Sequence, residues 1–474
     1  MSAPAAVPLA TPTFAPPPAV AAADTRFPAA ARGWFAFGIG SLVLAGLLSL
    51  LLVVGRLPFL GWLFTDPLFF KRALVVHVDL AIVVWFQAGT LAYLAWAVGS
   101  RVPQGLTIVS VVLAGLGVVG LLAGAVMPGA QPVRANYVPV VDHPLFLEGL
   151  VAWFAGGGLY FAGALAVPSA PSAALPDDAL VALRASAAAH LIALATFAAA
   201  WHTTLPGLPA IGYYELVAWG GGHVMQVGNV ALMLGLWLWL LRRWSGQSVV
   251  SPAAIRWLFV ALVLPQAVMP VLAWGGTSRP AYSEIATQLM RWTIFPVVLI
   301  VLGLGIRQVV LHWADRSAEG RWRLVGLAGS AVLTVLGFVL GAFIRGSSTL
   351  VPGHYHCAIG AVTLALMTAA YDFSREAAPR ATGPSPRLIR WQLVLFGAGQ
   401  AVFGLGFALA GAFGLGRKQY GAEQHVRSLG EYLGLGVMGL GGLVAVAGGL
   451  LFLAVMLRGM RAWRHRSPQT RPVS

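Results

Sequence analysis

The segment Val351-Pro352-Gly353-His354-Tyr355-His356-Cys357 opens a long apolar stretch and carries the densest potential chemistry in this 474-residue chain. Imidazoles are metal ligands, and on a helix turning about 100° per residue two of them at i and i+2 point to nearly opposite sides, about 200° apart. One short stretch can therefore serve two different iron centres. Two further histidines have a similar setting. His77 lies about two helical turns into the apolar run that continues Arg72-Ala73-Leu74-Val75-Val76-His77-Val78-Asp79-Leu80. His223 sits in Trp219-Gly220-Gly221-Gly222-His223-Val224-Met225-Gln226. An imidazole inside a membrane is costly without a partner, so each is a functional candidate; the alternative for each is a bond to a neighbouring backbone or hydroxyl group.

The elements that must position these rings follow from composition. At 58% hydrophobic and 9% charged residues the chain is not a water-soluble globule. Apolar runs long enough to cross a bilayer recur near residues 34–55, 71–97, 105–128, 145–167, 184–204, 213–241, 257–275, 285–311, 322–344, 352–371, 389–413 and 430–457. The expected fold is an all-α polytopic bundle of about twelve transmembrane helices. It is flanked by an Ala/Pro-rich disordered tail over 1–33 and a basic tail over 459–474, with the membrane domain over 34–458. Lys and Arg are roughly twice as frequent on the side of the N-terminus, which predicts an N-in, C-in orientation. His77, His223, His354 and His356 then fall on even-numbered helices, in the outer half of the bilayer and at comparable depth.

The net charge of +15 sits in short loops and the C-terminal tail, where anionic lipid attracts it, so the charge implies a membrane surface rather than nucleic acid. The first 24 residues lack the charged start of a signal peptide. Cys357 is the single cysteine, which excludes an internal disulfide, a C-x-x-C-H heme site and a paired-thiolate copper centre. Electrons must arrive from another subunit or a mobile donor.

In its order and spacing the histidine set resembles that of subunit I of the heme-copper oxidase superfamily, whose members include oxygen reductases and nitric oxide reductases. That family has twelve helices, a histidine in the second, a copper-ligating histidine in the sixth and an H-x-H pair in the tenth; the resemblance runs from Trp34 to Arg458. It implies that His77 and His356 are the axial ligands of a low-spin heme, that His354 holds a high-spin heme on the opposite side of the tenth helix, and that His223 faces this second heme. Bis-imidazole ligation closes both axial positions, whereas a single histidine leaves one open for a diatomic gas. Gly416-Arg417-Lys418-Gln419-Tyr420 is similar to the family's paired basic residues, which implies that Arg417 and Lys418 neutralise heme propionates. The implied activity is an oxidoreductase: a terminal reductase of oxygen or nitric oxide in a bacterial inner-membrane respiratory chain. The implied partners are a cytochrome c-type or copper-protein electron donor and accessory membrane subunits.

Departures from the pattern are equally specific. Where oxygen reductases place two adjacent copper histidines after the seventh helix, this chain reads Ala273-Trp274-Gly275-Gly276-Thr277-Ser278-Arg279-Pro280-Ala281-Tyr282, so the sequence gives little support for copper or non-heme iron. His202 or Glu215 could approach His223, but neither matches a family ligand position. Val227 stands where the main oxygen reductases carry a tyrosine and nitric oxide reductases a glutamate, and Tyr282 lies near the substitute tyrosine of cbb-type oxidases. Acidic groups at membrane depth are few, namely Asp79, Glu148 and Glu215, and the inner halves of the helices read as Ala, Leu, Val and Gly, which argues against vectorial proton pumping. Two functions from different classes therefore stand: a gas reductase, or a copper-less diheme cytochrome that relays electrons or senses a gas without turnover. A transporter with coupling histidines is a more remote third. Among the other histidines, His143 is expected to cap a helix or bond in a loop, His190 to support a neighbour, and His425 to help form a donor-docking surface.

Overall fold

The computed structural model describes residues 27–57, 60, 67–168, 175–313, 320–379, 383–418 and 424–464. Residues 1–26 of the N-terminal tail, Gln419, Tyr420 and residues 465–474 of the basic tail lie outside them. Among the described residues twelve helices are long and apolar enough to cross a membrane, and the chain is a multi-pass membrane protein. They are α1 Ala29–Arg56, α2 Leu68–Arg101, α3 Gln104–Val126, α4 Pro144–Ala166, α5 Asp177–Thr203, α6 Ala210–Ser245, α7 Pro252–Trp274, α8 Pro280–His312, α9 Arg321–Ala342, α10 Leu350–Ala377 and α11 Pro386–Ala412. The last, α12, is Leu429–Arg464. Successive helices alternate in direction, so α1, α3 and the other odd-numbered spans begin on one face, here the N-terminal face. The opposite face carries a two-stranded antiparallel hairpin between α3 and α4, β1 Gln131–Val133 paired with β2 Val140–Asp142, and is here the hairpin face.

Helix ends follow local chemistry. Proline occupies the first turn of α4, α7, α8 and α11, where a missing N–H costs nothing. Ser251 and Ser385 cap α7 and α11 by accepting from Ala254 and Leu388. His143 caps α4 by accepting from the Leu145 N–H. The first span begins at Ala29 rather than near 34, because Ala29, Ala30 and Ala31 favour the helix and Trp34 is fully buried on it. The last helix likewise extends to Arg464, several residues past the expected end of the membrane domain.

The spans that carry the four histidines are the most enclosed. In α2, α6 and α10 the buried share of the apolar window is 78%, 89% and 78%, against 22% in α8, so these rings lie in protein interior rather than lipid. Helices α11 and α12 approach so closely that a side chain on Gly406 would strike the backbone of Met438, the small-residue packing that stands in for a hydrophobic drive in lipid. In α2 the α-helix gives way to a π-helical segment at Asp79–Val84, directly after His77. Both Asp79 carboxyl oxygens are buried with no hydrogen-bond partner among the described residues. Such a widened turn is characteristic of functional positions.

Candidate functional site

His77 and His356 come together on the walls of one cavity of about 190 Å³ between α1, α2, α10, α11 and α12. His77 Nδ1 lies 2.9 Å from the Ala45 carbonyl on α1. A carbonyl only accepts, so Nδ1 carries the proton and the lone pair is on Nε2, the tautomer and anchoring typical of a ligating histidine. The His356 ring is held by contacts with Phe403, edge-on at 4.7 Å, and Phe407, stacked at 5.8 Å. No hydrogen bond to it is found among the described residues. The cavity is otherwise largely apolar; its remaining polar lining is Ser49, Tyr355, Thr363, Gln400, whose buried Oε1 has no partner among the described residues, and Arg56, which lies over the Phe407 ring at 4.9 Å. Two imidazoles and a guanidinium on the walls of a largely apolar cavity fit a largely apolar ligand that carries a metal and an anionic group. Arg56 was not singled out by sequence; its place at the end of an apolar run is the signal that could have found it.

His354 leaves α10 on another side, as the spacing predicts. Its Nδ1 is 2.7 Å from the Gly337 carbonyl on α9, and Gly341 leaves room for the ring, since a Cβ there would come within 2.8 Å of Nδ1. Its Nε2 lone pair has no partner among the described residues. His77 and His354 thus share one device: each is oriented by a carbonyl of a different helix. By contrast His190, His223 and His312 bond the carbonyl four residues back on their own helix.

Both ring nitrogens of His223 have hydrogen-bond partners. Nδ1 donates to the Trp219 carbonyl at 2.7 Å, and the Nε2 lone pair accepts from the Tyr137 hydroxyl at 2.9 Å, with Thr287 Oγ1 at 3.4 Å. Burial, with the Glu215 carboxylate adding to it against Arg417, pushes the Tyr137 phenol up, which keeps this donor protonated. Tyr137 reaches in from the hairpin turn in a left-handed conformation with φ 66°. The three glycines of α6 make room for rings: Tyr282 beside Gly220, Phe197 beside Gly221 and Tyr137 beside Gly222. Tyr282 is wedged into the helix, accepting from the Gly220 N–H at 2.9 Å and donating to the Leu216 carbonyl at 3.1 Å, which interrupts the ladder one turn before His223. Its hydroxyl is thereby committed to the α6 backbone.

Neither proposed helper joins His223. His202 is exposed and stacks on Trp274 at 5.3 Å, and Glu215 accepts from the Asn136 N–H at 2.9 Å and from the Asn136 side-chain amide. Among the described residues no group of three or more His, Cys, Asp or Glu is placed to hold a metal ion. Tyr137 could not be read from sequence because it comes from a loop 86 positions away. The Gly222→Ala variant should displace Tyr137 and cost about 1–3 kcal/mol. Tyr137→Phe, which loses only the hydroxyl, should cost about 1 kcal/mol. Thermal unfolding of the two variants in one detergent tests this order, and equal stability of Gly222→Ala and the parent would refute it.

Arg417 and Lys418 lie on the hairpin face above these rings. Arg417 donates to Asn136 Oδ1 at 3.3 Å, while its buried Nε has no partner among the described residues. Lys418 donates to the Arg134 carbonyl at 2.5 Å and Arg134 donates back to the Lys418 carbonyl. Burial and the neighbouring Arg417 guanidinium push the Lys418 ammonium down. The Glu215 carboxylate acts in the opposite sense to Arg417 and Arg134 on the Lys418 ammonium.

No family model matches the sequence. Among curated proteins the chain is similar to the uncharacterized protein RP382 of Rickettsia prowazekii (strain Madrid E), 25% identical over 91% of this chain and 97% of that one. It is also similar to an uncharacterized protein of Aquifex aeolicus (strain VF5), 27% identical over 72% of this chain and 84% of that one. Among solved structures it is similar to a heme-copper terminal oxidase dimer determined by cryo-EM. The TM-score is 0.69 at 14% identity, covering 93% of this chain and 84% of that one. The chain has the twelve-helix bundle fold of that oxidase.

Proposed function

We propose that this chain is the heme-bearing, subunit I-like component of a respiratory membrane oxidoreductase that reduces a diatomic gas, oxygen or nitric oxide. The observation that carries this reading is the pair of histidines on opposite sides of α10. His356 shares a cavity with His77, and His354 is turned to α9 with its Nε2 lone pair unengaged. His77 and His356 would hold a low-spin heme and His354 a high-spin one, with Arg56, Arg417 and Lys418 as cationic partners for propionates. Heme, when bound, supplies one-electron redox chemistry and, at an iron with a vacant position, gas binding. The chain's own contribution is orientation: the Ala45 and Gly337 carbonyls fix the tautomers, and the apolar cavity walls exclude water. This reading includes a bacterial inner-membrane location, a separate donor subunit and accessory membrane subunits, and an N-in orientation that the excess of Lys and Arg on the N-terminal face supports.

A second reading, a diheme cytochrome without turnover, is favoured by one observation. The His223 lone pair that would face a second metal is engaged by the Tyr137 hydroxyl. Optical spectra of the purified reduced protein with and without carbon monoxide, together with metal analysis and oxygen and nitric oxide consumption, test both. The reductase reading expects a carbon monoxide-sensitive component that is lost in His354→Ala, and gas uptake. Two hemes without gas uptake would leave the relay, and a colourless protein would remove both.

A further inference from the structure

The cavity that joins His77 and His356 extends well beyond the level of its two imidazoles. Its lining runs from Arg56 back to Leu42 along α1 and from Met438 to Leu453 along α12, about 20 Å at 1.5 Å per residue. Arg56 marks the hairpin-face end, and the end toward the N-terminal face is lined by Leu42, Met367 and Leu453. Between the two lies an amide. Gln400 of α11 is three residues from Phe403, whose ring meets His356 edge-on at 4.7 Å, and its side chain lies against Gly360 of α10, one turn past His356. A Cβ on Gly360 would come within 3.4 Å of Gln400 Cβ and Cγ and 3.6 Å of Oε1, so the glycine leaves the amide its place. Along the cavity the order is therefore a guanidinium, two imidazoles, an amide and an apolar end.

Gln400 Oε1 is buried and has no partner among the described residues. Two other glutamines deep in the bundle have their oxygens engaged: Gln87 accepts from Trp153 Nε1 at 3.0 Å and Gln392 from the Tyr371 hydroxyl at 2.9 Å. Gln266 also has an unpartnered oxygen, but its Nε2 donates to Thr293 and it lines no part of this cavity. On the same cavity wall the Ser49 hydroxyl is already given to the Gly46 carbonyl at 2.8 Å. Within a membrane an unsatisfied amide is costly, and a lipid tail cannot supply its partner. The occupant of the cavity can. An amide carries an acceptor and donors at one end, so it can meet a hydroxyl or a carbonyl, but it has nothing to meet on an edge that carries only hydrocarbon.

We propose that Gln400 hydrogen-bonds a hydroxyl or carbonyl on the porphyrin edge opposite the carboxylates, and so selects an oxygen-substituted heme for this cavity over protoheme. This rests on the heme reading of His77 and His356. Arg56 lies over Phe407, one turn nearer the hairpin face than Phe403, and Gln400 lies on the other side of Phe403, so a porphyrin whose carboxylates meet Arg56 presents its opposite edge to Gln400. Protoheme has vinyl and methyl groups there and would leave the amide unpaired. A site that buries a polar group for one ligand discriminates strongly against the analogue that lacks its partner. Met367 is seven residues past Gly360, about 10 Å, so the apolar end also has room for a hydrocarbon extension of the same substituent.

The test uses the full-length protein, produced in a host that makes both protoheme and oxygen-substituted hemes, with the extracted hemes identified by mass. The His354→Ala background leaves this site as the one loaded, and its extract should contain a heme with a hydroxyl or carbonyl substituent. Adding Gln400→Leu, or the near-isosteric Gln400→Met, should keep the six-coordinate signal and lower the ratio of substituted heme to protoheme at least about tenfold. An unchanged ratio in both variants overturns the proposal, as does protoheme alone in the His354→Ala protein. Protoheme alone leaves the heme reading standing, whereas a colourless parent removes that reading and this inference with it. Should a variant fail to fold, a cryo-EM map of the parent decides: a ligand oxygen within hydrogen-bond distance of the Gln400 amide supports the proposal, and carbon atoms or water alone there overturn it.

Discussion

In the His356→Ala protein the six-coordinate heme signal should disappear while the carbon monoxide-sensitive signal persists, with about half of the extractable heme lost. Alanine leaves the cavity without one of its two imidazoles and offers no replacement nitrogen, since the wall beside it is Phe403 and Phe407. His77→Ala should give the same spectrum. His77→Gln is the sharper variant because its amide can still donate to the Ala45 carbonyl but has no imidazole lone pair to give. If His77 serves only to tie α1 to α2, His77→Gln keeps the signal, and the ligand assignment is wrong. Pyridine hemochrome quantification and reduced-minus-oxidised spectra of the four proteins, parent included, read this directly.

The second large effect is on stability, at the N-terminal face. Asp372 on α10 is fully buried and accepts two bonds from Arg323 of α9, 2.7 Å from Nε and 2.6 Å from a terminal nitrogen; Arg243 of α6 lies 3.7 Å away and pairs with Glu376 at 2.8 Å. Asp372→Leu strands the Arg323 guanidinium, 13% exposed, and should destabilise the protein by about 3–5 kcal/mol. Replacing both partners, Arg323→Met with Asp372→Leu, should recover most of that loss, because the cost lies in the unpaired charge rather than in the missing pair. Thermal unfolding in detergent compares them. A double variant no more stable than Asp372→Leu would show that the pair does more than neutralise itself.

Much of the fold was legible because each span had to bury or expose some twenty apolar residues with no ambiguity of period. All twelve spans matched, and the shifts fall at ends, where Ala29 and Arg464 extend helices that hydropathy alone cuts short. The opposed directions of His354 and His356 were also legible, since helical geometry fixes them locally. The rings that lie against the glycine run 220–222, Tyr282, Phe197 and Tyr137, come from three other segments. What escaped were partners supplied by distant segments. The Ala45 and Gly337 carbonyls are backbone atoms with no sequence signature, Tyr137 arrives from a hairpin turn, and the hydroxyl of Tyr282 is spent on the α6 backbone rather than left free beside His223.

Sequence by itself determined that this chain lives in a membrane, how many times its helices cross, and which way each histidine leaves its own helix. These are properties of composition and of a fixed turn per residue. Tertiary structure alone decided what each ring nitrogen meets: a cavity for His77 and His356, a carbonyl of the neighbouring helix for His354, a phenol for His223. The reason is that a lone pair is directional and reaches about 3 Å, so its role depends on which helix packs beside it.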